Sequence, residues 1–380
     1  MNRLPGALAV AALAFLTASC GGKKEAAPAA GGEAAAPAAE EKLLNIYNWS
    51  DYIDKEALPE FEKRTGIKTI YNEMDSNEVL ETKMLTGKTG YDVVVPSANF
   101  LERQIKAGVY MKLDRSRLPN FRNLDADLMK RIALHDPGNQ YAVPYLWGTT
   151  GIGYNVDKVR KALGDVPVDS WALLFDPKYA AKLEDCGLVM LDAPSEVVDS
   201  ALIYLGKDPN SESAEDLKTV EELLMKVRPY VRYLHSSQYI NDLANGEICV
   251  ALGWSGDILQ AKSRAEEAGK GVNVGYAIPK EGAIMWFDML AIPADAPHPD
   301  NAHRFINYLL EPAVIAKVSN YVTYANGNAL ATAMVDEAVR KNPVVYPSDE
   351  VKRKLFPHLA ESSDFSRLLN RSWTRFRTGQ

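Results

Sequence analysis

The chain has 380 residues, 47% of them hydrophobic, and its 43 Lys and Arg against 50 Asp and Glu give a formal net charge of −7. This length exceeds what one hydrophobic core usually covers, so two lobes of ordinary domain size are expected. The acidic balance and the lack of any segment rich in Lys and Arg argue against nucleic-acid binding. Cationic partners remain possible.

The first predicted element is an export signal. Residues 1–19 combine one basic residue before an apolar stretch with small residues at the end, which is the layout of a secretory signal peptide. The ending "LTASC" resembles the lipobox of bacterial lipoproteins, so Cys20 is predicted to carry a lipid anchor. An ordinary signal peptide cleaved nearby is the alternative. Residues 20–42, rich in Ala, Pro, Gly and Glu, are predicted to form a disordered tether.

Two cysteines, Cys186 and Cys249, follow in the body of the chain. An even number of cysteines in a protein sent to an oxidising compartment predicts a disulfide between them. The alternative is a pair of buried free thiols, because cysteine is among the most buried residue types.

From Leu43 onward, apolar runs of strand length alternate with amphipathic segments of helix length. The runs "LLNIYNW", "IKTIYNE" and "YDVVVPS" are each followed by a helical pattern, and Ser76 is placed to cap the second helix. Three such units in a row imply a parallel sheet with helices on its faces. A second series after "YAVPYLWGTTGIGYN" predicts a second α/β lobe.

The run "AIMWFDMLAIP" is expected to return to the first sheet, so that two strands join the two lobes. Two connecting strands form a hinge with a cleft beside it. The predicted organisation is lobe 1 (43–146 and 282–330), lobe 2 (147–281) and a C-terminal helical segment that packs across the lobes (331–380).

The sequence offers no convincing catalytic or metal-binding motif. No two of the five histidines have the four-residue spacing of a helical zinc site. The segment "GWSGD" has Asp257 where a nucleophile elbow has its second Gly. "GTTGIGYN" matches neither the dinucleotide-binding nor the P-loop pattern.

Acids, aromatics and hydroxyls instead follow the predicted strands, at the edge where open α/β sheets bind ligands. They occur in "NWSDY", "PSAN", "DAPSE", "GWSGD" and "WFD". An ammonium group leaves water only where carboxylates and other acceptors replace its hydration, and aromatic faces add cation–π attraction. The pattern predicts a cleft for a cation with an apolar body. Carboxylates from both lobes would favour a ligand charged at both ends.

Seven segments in register resemble the periplasmic putrescine- and spermidine-binding proteins of ABC transporters. They are "NWSDYI", "YDVVVPSANFLERQ", "VPYLWGTTGIGYN", "LDAPSEV", "HSSQYINDLANGEICVALGWSGD", "IPKEGAIMWFDMLAIP" and "YANGNA". The resemblance implies an α/β fold of the type II, two-lobed binding-protein class, with a hinge of two crossing strands. It also implies closure on a protonated polyamine and delivery to an ABC permease. We further expect a lipid-anchored monomer on the periplasmic side of a bacterial membrane, without a cofactor.

The same resemblance implies a ligand-binding set and supports the pairing of Cys186 with Cys249. Asp288 would hold one ammonium group together with Ser50 and Asp51. Glu196 and Asp257 would hold the opposite one, and aromatic side chains would flank the methylene chain. The implied set is Trp49, Ser50, Asp51, Tyr52, Ser97, Glu196, Trp254, Asp257, Trp286, Asp288 and Tyr324.

The resemblance does not by itself decide between putrescine and spermidine as the ligand. Trp286 stands where spermidine-preferring members tend to have Trp, whereas the retained Asp257 fits the putrescine type. Asn99 and Ser195 depart from the family pattern. A diamine is therefore the first expectation and a triamine the second.

Other interpretations of the same residues stay open. Asp51 and Asp257 could simply cap helices, but Asp288 lies inside a strand, where a buried acid is costly without a cation. Asp288 is therefore the strongest candidate. An amine sensor, a binding protein for another organic cation and an enzyme on the same scaffold are the alternative functions.

Overall fold

The computed structural model describes residues 40–380. The predicted signal peptide, Cys20 and all but the last three residues of the predicted tether lie outside this range. Within it, strands and helices alternate along the chain, and the strands join into a mixed sheet.

The strands are β1 (Leu43–Trp49), β2 (Lys68–Met74), β3 (Val93–Val94), β4 (Ala142–Asn155), β5 (Leu188–Met190), β6 (Val231–Leu234), β7 (Val250–Trp254), β8 (Val274–Ala277), β9 (Ala283–Ala291), β10 (Ala325–Asn326) and β11 (Leu355–Pro357).

The helices are α1 (Ala57–Thr65), α2 (Asn77–Thr86), α3 (Ala98–Lys106), α4 (Ala126–Ile132), α5 (Val156–Leu163), α6 (Ala172–Phe175), α7 (Pro177–Leu183), α8 (Pro194–Tyr204), α9 (Ala214–Val227), α10 (Gln238–Ala244), α11 (Ser255–Ala268), α12 (Pro299–Leu309), α13 (Pro312–Val322), α14 (Glu337–Arg340), α15 (Asp349–Lys352) and α16 (Ser363–Thr378). Short 3-10 turns cover Arg115–Arg117, Pro119–Asn123, Arg228–Tyr230 and Thr332–Met334.

The main path through the sheet is β2-β1-β3-β9-β4-β7-β5-β6. Strands β2, β1 and β3 are parallel, as are β7, β5 and β6, whereas β9 and β4 run antiparallel between these two groups. The predicted α/β units therefore form, and each group presents the carboxyl ends of its parallel strands at one edge.

Strand β4 belongs to both groups. Its first part pairs with β9 as far as Thr149, and its second part pairs with β7 and β8 from Thr150 onward. All of β9 and nearly all of β4 are buried, so the two groups share a continuous apolar core at this point. The predicted lobe boundaries at residues 146 and 282 remain predictions, and β4 changes partners near the first of them.

The run "AIMWFDMLAIP" returns to the first group as β9, which pairs with both β3 and β4. The predicted hinge of two crossing strands needs one refinement. Only β4 crosses as a continuous strand, because β9 begins after a turn that ends at Gly282. The C-terminal segment adds a third connection, since β11 pairs in parallel with β9 and leads into α16, which packs on α8 and α9.

The predicted C-terminal helical segment thus includes a short strand that the sequence analysis did not anticipate. Leu355, Phe356 and Pro357 pair with the first residues of β9, and this pairing fixes the start of the loop that follows. Residue 358 therefore lies beside the cleft rather than on the outer surface.

Cys186 and Cys249 are joined by a disulfide, with their Cα atoms 5.4 Å apart. They lie just before β5 and β7, which pair in parallel at Leu188 and Val250, so the sheet itself brings the two cysteines together. Over residues 40–380 the structure contains no helix with the length and apolarity needed to cross a membrane.

Candidate functional site

A narrow cleft lies where the two groups of strands meet. Its cavity volume is only about 40 Å³. Such a narrow channel suits an unbranched aliphatic chain. Its lining consists of Trp49, Ser50, Tyr52, Met74, Asp75, Ser76, Asn77, Glu78, Ser97, Phe100, Ala193, Ser195, Glu196, Ser236, Ser237, Trp254, Asp257, Trp286, Asp288, Tyr324 and His358.

Asp288 lies at the centre of one end of the cleft. Alternate residues of a strand point to the same face, so β9 presents Trp286 and Asp288 to the cleft together. Ser97 donates a hydrogen bond of 2.6 Å to one carboxylate oxygen of Asp288, and Tyr52 donates one of 2.8 Å to the other. Burial raises the pKa of Asp288 to about 7, against the opposing effect of these two hydrogen bonds.

Asp257 forms a second buried acid in the first turn of α11. Its carboxylate accepts hydrogen bonds from Tyr324 at 2.7 Å and from Tyr239 at 2.8 Å. Helix capping, the alternative role considered for this residue, is therefore not what its side chain does. Burial raises the pKa of Asp257 to about 6, although the two tyrosine hydroxyls act in the opposite direction.

Asp257 and Asp288 are connected through two packed tyrosines, and the predicted placement of Asp257 with Glu196 at the opposite end of the ligand stays a prediction. The rings of Tyr52 and Tyr324, each bonded to one of the two aspartates, pack edge to face with centroids 5.2 Å apart. The charge of Asp257 also contributes to raising the pKa of Asp288. Two buried acids thus each accept a hydrogen bond from one member of a packed pair of tyrosines.

Glu196 occupies the first turn of α8, on another wall of the cleft. It is 9% exposed, and Thr150 from the middle of β4 donates a hydrogen bond to its carboxylate. Burial raises the pKa of Glu196 to about 7, while the hydrogen bonds from Thr150 and Trp254 oppose this shift and the charge of Asp288 adds to it.

Aromatic side chains form the walls between these acids. Trp49 and Trp254 pack edge to face at 5.6 Å, and Trp286 packs against Tyr324 at 5.3 Å. The indole N–H of Trp49 donates to the Val95 carbonyl at 2.9 Å, which fixes the orientation of its ring.

Two glycines leave room for these aromatic rings. A Cβ at Gly148 would lie 2.8 Å from the Trp286 ring, and one at Gly256 would overlap the ring of Tyr324. The glycines in "GTTGIG" and "GWSGD" therefore serve close packing around the cleft.

Asp51 does not line the cleft, although the sequence analysis included it in the ligand-binding set. Its backbone has a φ of 54°, and its carboxylate is 40% exposed and forms an ion pair of 2.8 Å with Arg264 on α11. Gln260, also on α11, donates to the Asp51 carbonyl at 3.3 Å. Ser50 does line the cleft, but its hydroxyl lies 3.4 Å from the Met74 carbonyl.

Several lining residues were not predicted from the sequence. Glu78, next to the capping Ser76, has a pKa raised by burial, and Ser76 donates to its carboxylate at 2.8 Å. Tyr239 does not line the cleft itself but donates a hydrogen bond to Asp257, and its position in "SSQYIND" gives no signal beyond an apolar helix face. His358, one of the five histidines without zinc-site spacing, is 6% exposed and lines the cleft.

The arrangement is suited to holding a cation. Across residues 40–380 no group of three or more His, Cys, Asp or Glu side chains has the geometry to hold a metal ion. Three buried carboxyl groups with raised pKa values, surrounded by hydroxyls and aromatic faces, provide strong acceptors for N–H donors and apolar surface for methylene groups.

Comparison with known proteins places this chain in a family. Residues 56–345 match the family model described as bacterial extracellular solute-binding protein. The chain is 55% identical over 345 residues to the putrescine-binding periplasmic protein PotF of Escherichia coli, covering 90% of this chain and 93% of that protein. It is also 55% identical to the putrescine-binding periplasmic protein SpuD of Pseudomonas aeruginosa over 344 residues, covering 90% of this chain and 94% of that protein.

The fold agrees with this assignment. A solved structure from Listeria monocytogenes, described as a putative spermidine/putrescine ABC transporter, superimposes with a TM-score of 0.81 at 32% identity, covering 90% of this chain and all of that chain. The predicted family and the predicted α/β binding-protein fold are thus confirmed. The chain belongs to the bacterial extracellular solute-binding proteins.

Proposed function

We propose that this protein captures a protonated polyamine in the cleft and delivers it to an ABC permease, with putrescine the preferred ligand and spermidine the second. The observation that carries the proposal is the pairing of Asp257 and Asp288 around the Tyr52 and Tyr324 rings, with Glu196 on a further wall. Buried carboxyls of this kind are stabilised by a cation that enters between them.

The comparisons support the same conclusion. The two relatives at 55% identity are named for putrescine binding, and the Listeria structure is described as a spermidine/putrescine transporter. The relatives are periplasmic, so we propose that this chain acts in the periplasm as a monomeric binding protein without turnover. Lipid attachment at Cys20 is part of the proposal and rests on the lipobox-like "LTASC".

The ligand-binding residues implied by the proposal are the predicted set without Asp51. Asp257 and Asp288 would hold one ammonium group, and Glu196 would hold the other. Trp49, Trp254, Trp286 and Tyr324 would cover the methylene chain.

Isothermal titration calorimetry with putrescine, spermidine and cadaverine tests the ligand class, and 1,4-butanediol serves as a neutral control of matched length. We expect one site per chain for at least one polyamine and no heat from the diol. Equal binding of diol and diamine, or no binding of any polyamine, would refute the proposal. Mass spectrometry of the exported protein and of a Cys20→Ser variant tests the lipid anchor.

A further inference from the structure

The C-terminal segment supplies one side chain of the cleft that the proposed ligand set does not use. His358 follows β11 directly, and its imidazole is 6% exposed and lines the cleft beside α8. Its Nδ1 lies 3.7 Å from Glu196 Oε1, and its Nε2 lies 3.2 Å from Asp199 Oδ2.

The imidazole has unused hydrogen-bonding capacity. Nε2 is buried, and within residues 40–380 it makes no hydrogen bond of acceptable geometry, despite its proximity to Asp199. The 3.7 Å between Nδ1 and Glu196 is too long for a direct hydrogen bond. Nδ1 therefore has no hydrogen-bond partner among the described residues, and it belongs to a side chain that lines the cleft, so its lone pair is open to a ligand there.

The distance between His358 Nδ1 and Glu196 Oε1 allows one nitrogen with two hydrogens to donate to both atoms. A nitrogen about 2.9 Å from both Nδ1 and Oε1 would see them at an angle of about 80°, a spacing that two hydrogens of one ammonium or iminium group can meet. Glu196 alone would leave one such hydrogen facing the ring.

The surroundings determine what His358 can contribute. Burial lowers its pKa to about 3, with the charges of His135 and Arg103 acting in the same direction. Burial also raises the pKa of the nearby carboxyls of Glu196 and Asp199. A neutral imidazole keeps one nitrogen as an acceptor.

We propose that His358 is a ligand-binding residue, whose Nδ1 and the Glu196 carboxylate together accept hydrogen bonds from one nitrogen of the bound cation. In the tautomer that this requires, the hydrogen sits on Nε2, which lies 3.2 Å from Asp199 Oδ2. The ligand class is an organic cation with a nitrogen at the Glu196 end that carries at least two hydrogens. This inference rests on the proposed polyamine function and adds a residue from the third connection between the two groups of strands.

The test compares His358→Leu, which removes the acceptor, with His358→Asn, whose side-chain oxygen replaces Nδ1. Putrescine affinity is measured by calorimetry for each. We expect His358→Leu to weaken binding at least fivefold and His358→Asn to weaken it less than threefold. His135→Leu is the matched control, because His135 is 2% exposed but does not line the cleft, and its putrescine affinity should stay within twofold of wild type.

A second pair of variants separates direct contact from positioning of Glu196. In a Glu196→Gln background, a direct contact predicts that His358→Leu still weakens putrescine binding at least threefold. A ring that only orients Glu196 predicts no further loss, which would overturn the inference, as would unchanged affinity of His358→Leu in the wild-type background. Thermal melts show whether each variant is folded. If His358→Leu is not folded, His358→Gln replaces it. If wild-type protein binds no polyamine, the proposed function fails instead, so the two failures are distinguishable.

Discussion

Replacing Asp288 by Asn is expected to change ligand affinity and stability in opposite directions. The carboxylate is 4% exposed and accepts two hydrogen bonds from hydroxyls, and burial raises its pKa from 3.8 to about 7. Each tenfold change in the acid dissociation constant corresponds to about 1.36 kcal/mol. Keeping Asp288 ionised near neutral pH therefore costs the ligand-free fold about 4 kcal/mol of stability. Asn removes this cost, although its amide hydrogens fit less well against two hydroxyl donors.

The effect on binding has the opposite sign. Removing one partner of a buried charge pair commonly costs about 2 to 5 kcal/mol, so putrescine affinity should fall about thirtyfold to several thousandfold. Calorimetry measures the affinity. Scanning calorimetry without ligand at pH 7.5 should show a melting temperature at least about 3 °C higher than that of wild type.

The control is Asp92→Asn, because Asp92 is fully buried but accepts hydrogen bonds from the backbone N–H groups of Asn45 and His298 and does not line the cleft. This variant should lose stability and keep its affinity. If Asp288→Asn bound putrescine as wild type does, or melted lower while binding weakly, Asp288 would be a structural acid and our account of the site would be wrong.

Three further predictions concern pH, the Asp51 ion pair and the disulfide. A bound cation favours ionised carboxyls, and the pKa of Glu196 and of Asp288 is raised to about 7. Protonation of one such carboxyl should lower putrescine affinity about thirtyfold between pH 8 and pH 5.5, as calorimetry can measure. Raised carboxyl pKa values in the folded state mean that stability present at low pH is lost as pH rises to about 7. The ligand-free protein should therefore melt higher at pH 5.5 than at pH 7.5, and the opposite order would contradict this account. Asp51→Ala should weaken binding less than fivefold, since its ion pair with Arg264 is exposed, and a loss above tenfold would show that Asp51 contacts the ligand. Cys186→Ser with Cys249→Ser should lower the free energy of unfolding by about 4 kcal/mol, as chain entropy predicts for a closed loop of 63 residues, with little change in affinity.

Much of the site could be predicted from the sequence because strand periodicity and strand ends locate side chains. Asp288 inside an apolar strand had no cap to make, and the structure buries it in the cleft with Trp286. The grouping of Asp257 could not be predicted, because it depends on the Tyr52 and Tyr324 rings meeting across two groups of strands. Periodicity gives the face on which a residue lies and not its neighbours from distant elements.

Asp51 was predicted to contact the ligand but does not line the cleft, whereas His358 was not predicted and does line it. Asp51 adjoins lining residues on both sides, but a left-handed backbone turns its carboxylate outward to Arg264. His358 lies in a polar C-terminal stretch with no local signal, and only the pairing of β11 with β9 brings it to the cleft. Both outcomes depend on single backbone torsions or long-range pairings that no local pattern encodes.

The distribution of the acids also suggests why capture of a cation would be coupled to a change in the whole molecule. Asp288 lies on β9, Asp257 follows β7, and Glu196 follows β5, so the acids come from both groups of strands. Burial in the cleft raises the pKa of each carboxyl toward neutrality, and the charge of a second acid adds to the shift of Asp288 and of Glu196. A cation between them offsets the cost of burying ionised carboxyls, so binding of a cation shifts the molecule toward the assembled cleft. A neutral ligand of the same shape would gain the aromatic contacts but leave the carboxyls uncompensated. Selectivity for charge thus follows from the unfavourable energy of the empty site, which is why the diol control is expected to fail even though it fits.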